Sequence, residues 1–297
     1  MNKNNPFTST SLPSVFPGTT PVAPVIAPAV AQGPLARYFA QYIQPRPAAS
    51  RDALPPGIKA VLDLPLEYFQ NLANQKAPAD AKPLTNVAFV LDNSSSMAHG
   101  KSTTIEGFNA QVGVLREGAK AAGETTFTEV QFSDVVKVRR VASSLDHLVN
   151  LTEASYVPEG MTALYDALGD TIAALLQTPR MDSPATATLV TLFTDGGENS
   201  SSRYDATILS ELVRRLEATG RWTFALVGPR RQVSTLAEML SVKQTNVASY
   251  DPVSLEERAQ VFGRMASASA NYMSMRSMGV TQACSLYAGD GATNLED

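Results

Sequence analysis

The stretch Asn86-Val-Ala-Phe-Val-Leu91, followed at once by Asp92-Asn93-Ser94-Ser95-Ser96, decides the fold. A nearly continuous apolar run is what a strand buried on both faces requires, and such strands belong to parallel sheets covered by helices on both sides. Working outward, Ile105, Phe108, Val112 and Leu115 mark an amphipathic helix to about Ala122. Thr126–Phe132 and Val135–Val141 read as a hairpin around Ser133-Asp134. Leu164, Leu168, Ile172 and Leu176 mark the next helix, and Ala187–Phe193 is a second, largely apolar strand. The alternation continues with helix 205–219, strand 222–228, helix 233–241, strand 246–250 and helix 254–272. Strands separated by helices of this length predict βαβ crossovers and an α/β, doubly wound, mostly parallel sheet with helices on both faces.

The rest of the chain is organised around this body. Eleven of the 19 prolines fall in the first 56 residues, so residues 1–33 read as a Pro-rich extended or disordered arm. Residues 34–84 read as a short helical segment packing on the body. Leu35, Tyr38, Phe39, Tyr42 and Ile43 form one apolar face, and Ile58, Val61, Leu62, Leu66, Phe69 and Leu72 form a second, bent by Pro65. Residues 85–275 make the body. Residues 276–297 have little periodicity and read as a tail, loose or draped over the surface.

Composition excludes several function classes. A chain of 297 residues with 44% hydrophobic and 18% charged residues can bury a real core without staples. The net charge of −4 argues against a dedicated nucleic-acid binder. Residues 1–84 carry a net +3 and the remainder −7, so the arm is mildly basic and the body acidic. The single cysteine, Cys284, cannot form an internal disulfide, and two histidines leave little room for a zinc site. The most apolar N-terminal run, Val22–Ala31, is broken by Pro24 and Pro28, so neither a transmembrane helix nor a signal peptide is expected. A cytoplasmic protein is the expectation.

In doubly wound sheets ligands bind beyond the carboxyl ends of the strands, so the residues directly after each strand carry the chemistry. Three segments fall on that edge: Asp92-Asn93-Ser94-Ser95-Ser96, Gly160-Met161-Thr162, and Thr194-Asp195-Gly196-Gly197. They bring two carboxylates and three hydroxyls, hard oxygen donors of the kind Mg²⁺ prefers. Hydroxyls in the inner shell would leave such an ion electrophilic and receptive to an acidic oxygen from outside.

These residues resemble those of a known family. Asp92-Asn-Ser94-Ser-Ser96 is similar to the Asp-x-Ser-x-Ser metal-ion-dependent adhesion site of von Willebrand factor A domains, of bacterial or phage type. Gly160-Met-Thr162-Ala-Leu-Tyr-Asp-Ala-Leu168 resembles the family's second segment and Phe193-Thr-Asp195-Gly its third. The resemblance covers roughly residues 85–265. It implies a six-stranded sheet with the hairpin at 126–141 supplying an antiparallel edge strand. It implies Mg²⁺ or Mn²⁺ bound directly by Ser94, Ser96 and Thr162, with Asp92 and Asp195 acting largely through water. It also implies a protein partner that completes the metal with an Asp or Glu carboxylate, such as an AAA+ ATPase or a larger assembly. Many bacterial members have Gly where this chain has Ser95, a difference that matters only if the backbone there needs a positive φ.

Other features compete with that reading. Ser95-Ser-Met-Ala-His-Gly100-Lys101-Ser102 nearly spells a P-loop, with Lys101 in the phosphate-reaching position, but the first glycine is missing. Outside a nucleotide site Lys101 reads as a solvated loop lysine. His99 reads as an exposed loop histidine. Asp166 and Asp170, four apart, face away from the Leu164/Leu168 stripe and read as a solvated edge. Trp222 and the methionines near Met273–Met278 read as core and packing residues, and the pairs Arg139-Arg140, Arg214-Arg215 and Arg230-Arg231 as solvated, with an acidic partner for one of them as the alternative.

Nothing in the sequence supplies an activated nucleophile, a tuned acid–base pair or a cofactor pocket. The expectation is a metal-dependent protein-binding module, an adaptor or assembly component rather than an enzyme. Neither nucleic acid nor membrane is expected as a partner. A degenerate P-loop NTPase using Ser95–Ser102 and a structural assembly protein with a vestigial metal site are the alternatives.

Overall fold

A computed structural model describes residues 50–282 and 284–287. The arm 1–33, the apolar face Leu35–Ile43 and the end of the tail lie outside the described residues. The first turn of backbone, Arg51–Ala53, leads into α1 (Pro56–Asp63) and α2 (Leu66–Ala73). Pro56 opens α1, where a missing N–H costs nothing, and Leu64 is extended because it precedes Pro65. The single bent stripe of the sequence is therefore two helices. They pack on the body through Ile58, Val61, Leu62 and Phe69.

The body follows as β1 (Leu84–Asp92), α3 (Lys101–Ala122), β2 (Glu124–Phe132), β3 (Val136–Ser144), α4 (Leu164–Leu176), β4 (Thr186–Phe193), α5 (Ala206–Ala218), β5 (Trp222–Pro229), α6 (Arg230–Leu240), β6 (Val247–Tyr250) and α7 (Leu255–Ser277). The six strands form one sheet in the order β3-β2-β1-β4-β5-β6. Only the β2/β3 pair is antiparallel, and every other pairing is parallel. This is the mixed six-stranded sheet with one antiparallel edge that the family resemblance implied.

The period-two alternation of the strands sorts the core into two layers. Ala88 and Val90 of β1, with Val190 and Leu192 of β4 and Phe224 and Leu226 of β5, face α1, α2, α4, α5 and α6. Val87, Phe89 and Leu91 face the other way, with Leu189, Phe193, Ala225 and Val227, onto α3 and α7. Phe89, Phe108 and Phe127 interlock there with ring centroids 5.8–6.3 Å apart. β1 and β4 are buried along their whole length, as their composition requires.

Helix starts depart from the sequence reading at α3 and α6, which have no side-chain cap, and agree with it at α5 and α7, which have one. α3 begins at Lys101 because a 3₁₀ turn over Ser95–Gly100 feeds directly into it. α6 begins at Arg230, directly after Pro229. Asp205 and Ser254 cap α5 and α7 by accepting the N–H groups of Ile208 and Glu257 at 2.8 and 3.1 Å. α7 continues past 272 to Ser277, and Met278 is exposed rather than packed. The tail then drapes back: Leu286 N–H donates to Asn246 Oδ1, and the Tyr287 ring is buried. Among the described residues no helix is long and apolar enough to cross a membrane.

Candidate functional site

β1 and β4 are adjacent and in register from Leu84↔Thr186 to Leu91↔Phe193, so Asp92 and Thr194-Asp195 leave the sheet side by side. The Asp92 carboxylate is fully buried. Its Oδ1 accepts the N–H of Ser94 at 2.7 Å, and its Oδ2 accepts the hydroxyl of Thr194 at 2.5 Å. From Ser94 the chain enters the 3₁₀ turn, and Ser95 does not have positive φ, so a serine there is unstrained.

The second loop is laced to the first. Ser95 N–H donates to Gly160 O at 3.1 Å, and Glu159 N–H to Asn93 O at 2.9 Å. Gly160 has φ +75°, and a Cβ on it would lie 2.0 Å from Asp134 Oδ1, so the loop can pass there only as glycine. Thr162 is fixed by the loop after β4: its N–H donates to Asn199 Oδ1 at 2.8 Å, while its carbonyl accepts from Asn199 and Ser200.

The five expected residues converge. Ser94 Oγ and Ser96 Oγ are 3.1 Å apart, and the Ser96 hydroxyl donates to Asp195 Oδ1 at 2.6 Å. A methyl group added at Gly196 would lie 3.4 Å from Ser96 Oγ, 3.4 Å from Thr162 Oγ1 and 3.9 Å from Asp92 Oδ2. Three oxygens from two loops thus face one point beside Gly196, which stands on a third loop. Among the described residues no three carboxylates, imidazoles or thiols cluster, so a metal held here must take hydroxyl oxygens as well. The donor set of these loops is all oxygen and fits a hard dication.

Burial also sets the electrostatics at the floor of the site. Burial pushes the Asp92 carboxyl up to about 6; hydrogen bonds from Ser94 and Thr194 offset part of the rise, and the Asp195 charge adds to it. Tyr156, wholly buried, donates its hydroxyl to the Asp92 carbonyl at 2.6 Å. Burial, reinforced by the neighbouring carboxylates, keeps that phenol protonated.

Sequence reading missed Arg258. It projects from the first turn of α7, is 2% exposed, and donates from Nη2 to Asp195 Oδ2 at 3.0 Å. Its guanidinium lies 5.0 Å from the centre of the Tyr250 ring. A signal did exist: Arg258 starts the buried stripe of α7 that continues through Val261, Phe262, Met265 and Tyr272. A cation on an apolar stripe implies a buried partner.

Two readings are corrected. Asp166 is not a solvated edge but buried, accepting the N–H groups of Ser202, Arg203 and Tyr204 at 3.0, 2.9 and 3.0 Å. Asp170 holds the Arg203 fork at 2.6 and 2.7 Å. The loop after β4 folds back over the start of α4, which covers that face. Lys101 is not a free loop lysine: it opens α3, and its ammonium lies 2.7 Å from the Glu153 carboxylate. Of the arginine pairs, Arg140, Arg215 and Arg230 each meet a carboxylate, those of Glu129, Glu211 and Glu257. His99 is exposed.

No protein-family model and no curated protein matches the chain. Solved structures do resemble it at low identity. The von Willebrand factor type A protein from Catenulispora acidiphila is 18% identical, with a TM-score of 0.38, over 64% of this chain and 43% of that one. The PilB minor pilin from Streptococcus sanguinis is 14% identical, with a TM-score of 0.47, over 68% and 64%. Proximal thread matrix protein 1 from the mussel byssus, with a zinc-occupied MIDAS motif, is 16% identical, with a TM-score of 0.45, over 64% and 47%. The chain spans less than two thirds of the length of each of these proteins.

Proposed function

We propose that this chain is a divalent-metal-dependent protein-binding module. Mg²⁺ or Mn²⁺ is held at the carboxyl edge of the sheet by Ser94, Ser96 and Thr162, with Asp92 and Asp195 as the supporting carboxylates. The bound ion supplies Lewis acidity toward a carboxylate oxygen from outside, so the partner is a protein presenting Asp or Glu. The observation that carries the reading is the convergence of Ser96 Oγ, Thr162 Oγ1 and Asp92 Oδ2 on the space beside Gly196. An adaptor or assembly role, beside an AAA+ ATPase or within a larger complex, is the setting the family resemblance suggests. A desolvated charged contact of this kind can dominate an interface.

The P-loop alternative gains no support. The segment that would wrap phosphates is a 3₁₀ turn, and Lys101 is tied to Glu153 instead of pointing free.

Calorimetric titration of the full chain with Mg²⁺ and Mn²⁺ tests the reading. Wild type is expected to take up one ion, and Asp195→Ala and Thr162→Ala to lose uptake. Uptake that survives both substitutions refutes the site. A pull-down with and without chelator then reads whether partner capture follows the metal.

A further inference from the structure

Arg258 does something to the site that the five oxygen donors do not explain. Its side chain and that of Asp195 are 2% and 6% exposed, so solvent screens their contact poorly. Its seat is shaped for it: a Cβ on Gly100 would lie 1.7 Å from Nη1 and 2.5 Å from Cζ, so only glycine at 100 admits the guanidinium. Nη1 is buried and has no hydrogen-bond partner among the described residues. A buried guanidinium left partly unsatisfied is poor evidence of a purely stabilising role.

We propose that Arg258 is the built-in counter-ion of the metal site, neutralising Asp195 in the metal-free chain and weakening capture of a dication. The inference rests on the metal reading above. Two carboxylates alone would bring the loaded site to neutrality. With Arg258 present the loaded site carries one surplus positive charge, because a dication and a guanidinium face two carboxylates. Charges this close repel strongly in a poorly screened pocket. Metal therefore binds weakly on its own and more tightly once a carboxylate from outside cancels the surplus. Arg258 thus couples metal uptake to uptake of an acidic ligand, and its role is to tune the site, not to touch the partner.

Calorimetric titration of the full chain with Mn²⁺ tests this. Arg258→Met is expected to bind Mn²⁺ at least about tenfold more tightly than wild type, and Arg258→Lys to stay near wild type because it keeps the charge. Gly100→Ala, which evicts the guanidinium without deleting it, is expected to tighten binding too and serves if Arg258→Met fails to fold. Acetate, as a bare carboxylate probe, is expected to tighten Mn²⁺ uptake more in wild type than in Arg258→Met or Gly100→Ala. Equal or weaker Mn²⁺ binding by the folded variants overturns the counter-ion role while leaving the metal site intact. Failure of wild type and variants alike to take up Mn²⁺ overturns the metal reading and this inference with it.

Discussion

The Thr194 hydroxyl and the Asp92 Oδ2 atom lie 2.5 Å apart at the ends of neighbouring parallel strands, buried in the floor of the site. Thr194 Oγ1 also accepts the N–H of Gly196 at 3.2 Å, so one side chain anchors both the carboxylate and the turn beyond it. Thr194→Val keeps the shape and removes both bonds. Burying an unpaired donor or acceptor costs about 1–3 kcal/mol. Urea unfolding should show a loss in that range, and on the proposed metal reading metal affinity should fall although Thr194 is not among the proposed ligands. An unchanged midpoint would mean that Thr194 does not brace Asp92.

Asp92 makes the metal-free chain sensitive to pH in an unusual sense. Its folded carboxyl sits at about 6 against an ordinary 3.8, so between those values the native state holds more protons than the unfolded one. Its contribution is fully present below about pH 4 and is lost as pH rises through 6. The shift corresponds to on the order of 3 kcal/mol. With chelator present, stability attributable to this group should fall from pH 4.5 to pH 7, and Asp92→Asn should flatten that slope. Added metal should restore stability at pH 7 in wild type and not in the variant.

Two glycines of α3 provide an internally controlled pair. A Cβ on Gly107 would lie 2.1–2.4 Å from the Phe262 ring of α7, whereas one on Gly113 meets nothing within 4 Å. Gly107→Ala should therefore destabilise, by about 1–3 kcal/mol if the ring has to shift. Gly113→Ala should stabilise by about 0.5–1 kcal/mol through helix propensity and unfolded-state entropy. Thermal unfolding of the two variants should move in opposite directions. Equal shifts would mean that α3 and α7 do not pack as described.

Asp166 ties three successive N–H groups of the loop that also carries Asn199 and Ser200 to Thr162. Asp166→Ala leaves those donors without their acceptor in a covered loop. A loss of about 2–4 kcal/mol is expected, since bonds to a charged acceptor exceed neutral ones. Faster amide exchange over residues 198–204 should accompany it, together with weaker metal uptake. Stability lost without faster exchange in that loop would confine Asp166 to packing α4.

Sequence alone determined the sheet and which residues stand at its carboxyl edge. The apolar runs at 86–91 and 187–193 can be satisfied only by burial on both faces, and their helical spacers force parallel crossovers. Asp92, Ser94, Ser96, Thr162 and Asp195 stand directly after strands or just before a helix, so local order already placed them on one edge. What tertiary structure decided are the contacts between segments remote in the chain. Asp166 looked solvated because the helix's own periodicity says nothing of a loop folding back over it. Arg258 stood outside every motif because its partner lies 63 residues away and is met only when α7 closes against the sheet. Short-range periodicity is written residue by residue, but pairing of buried charges depends on which surfaces meet, and only the packed chain settles that.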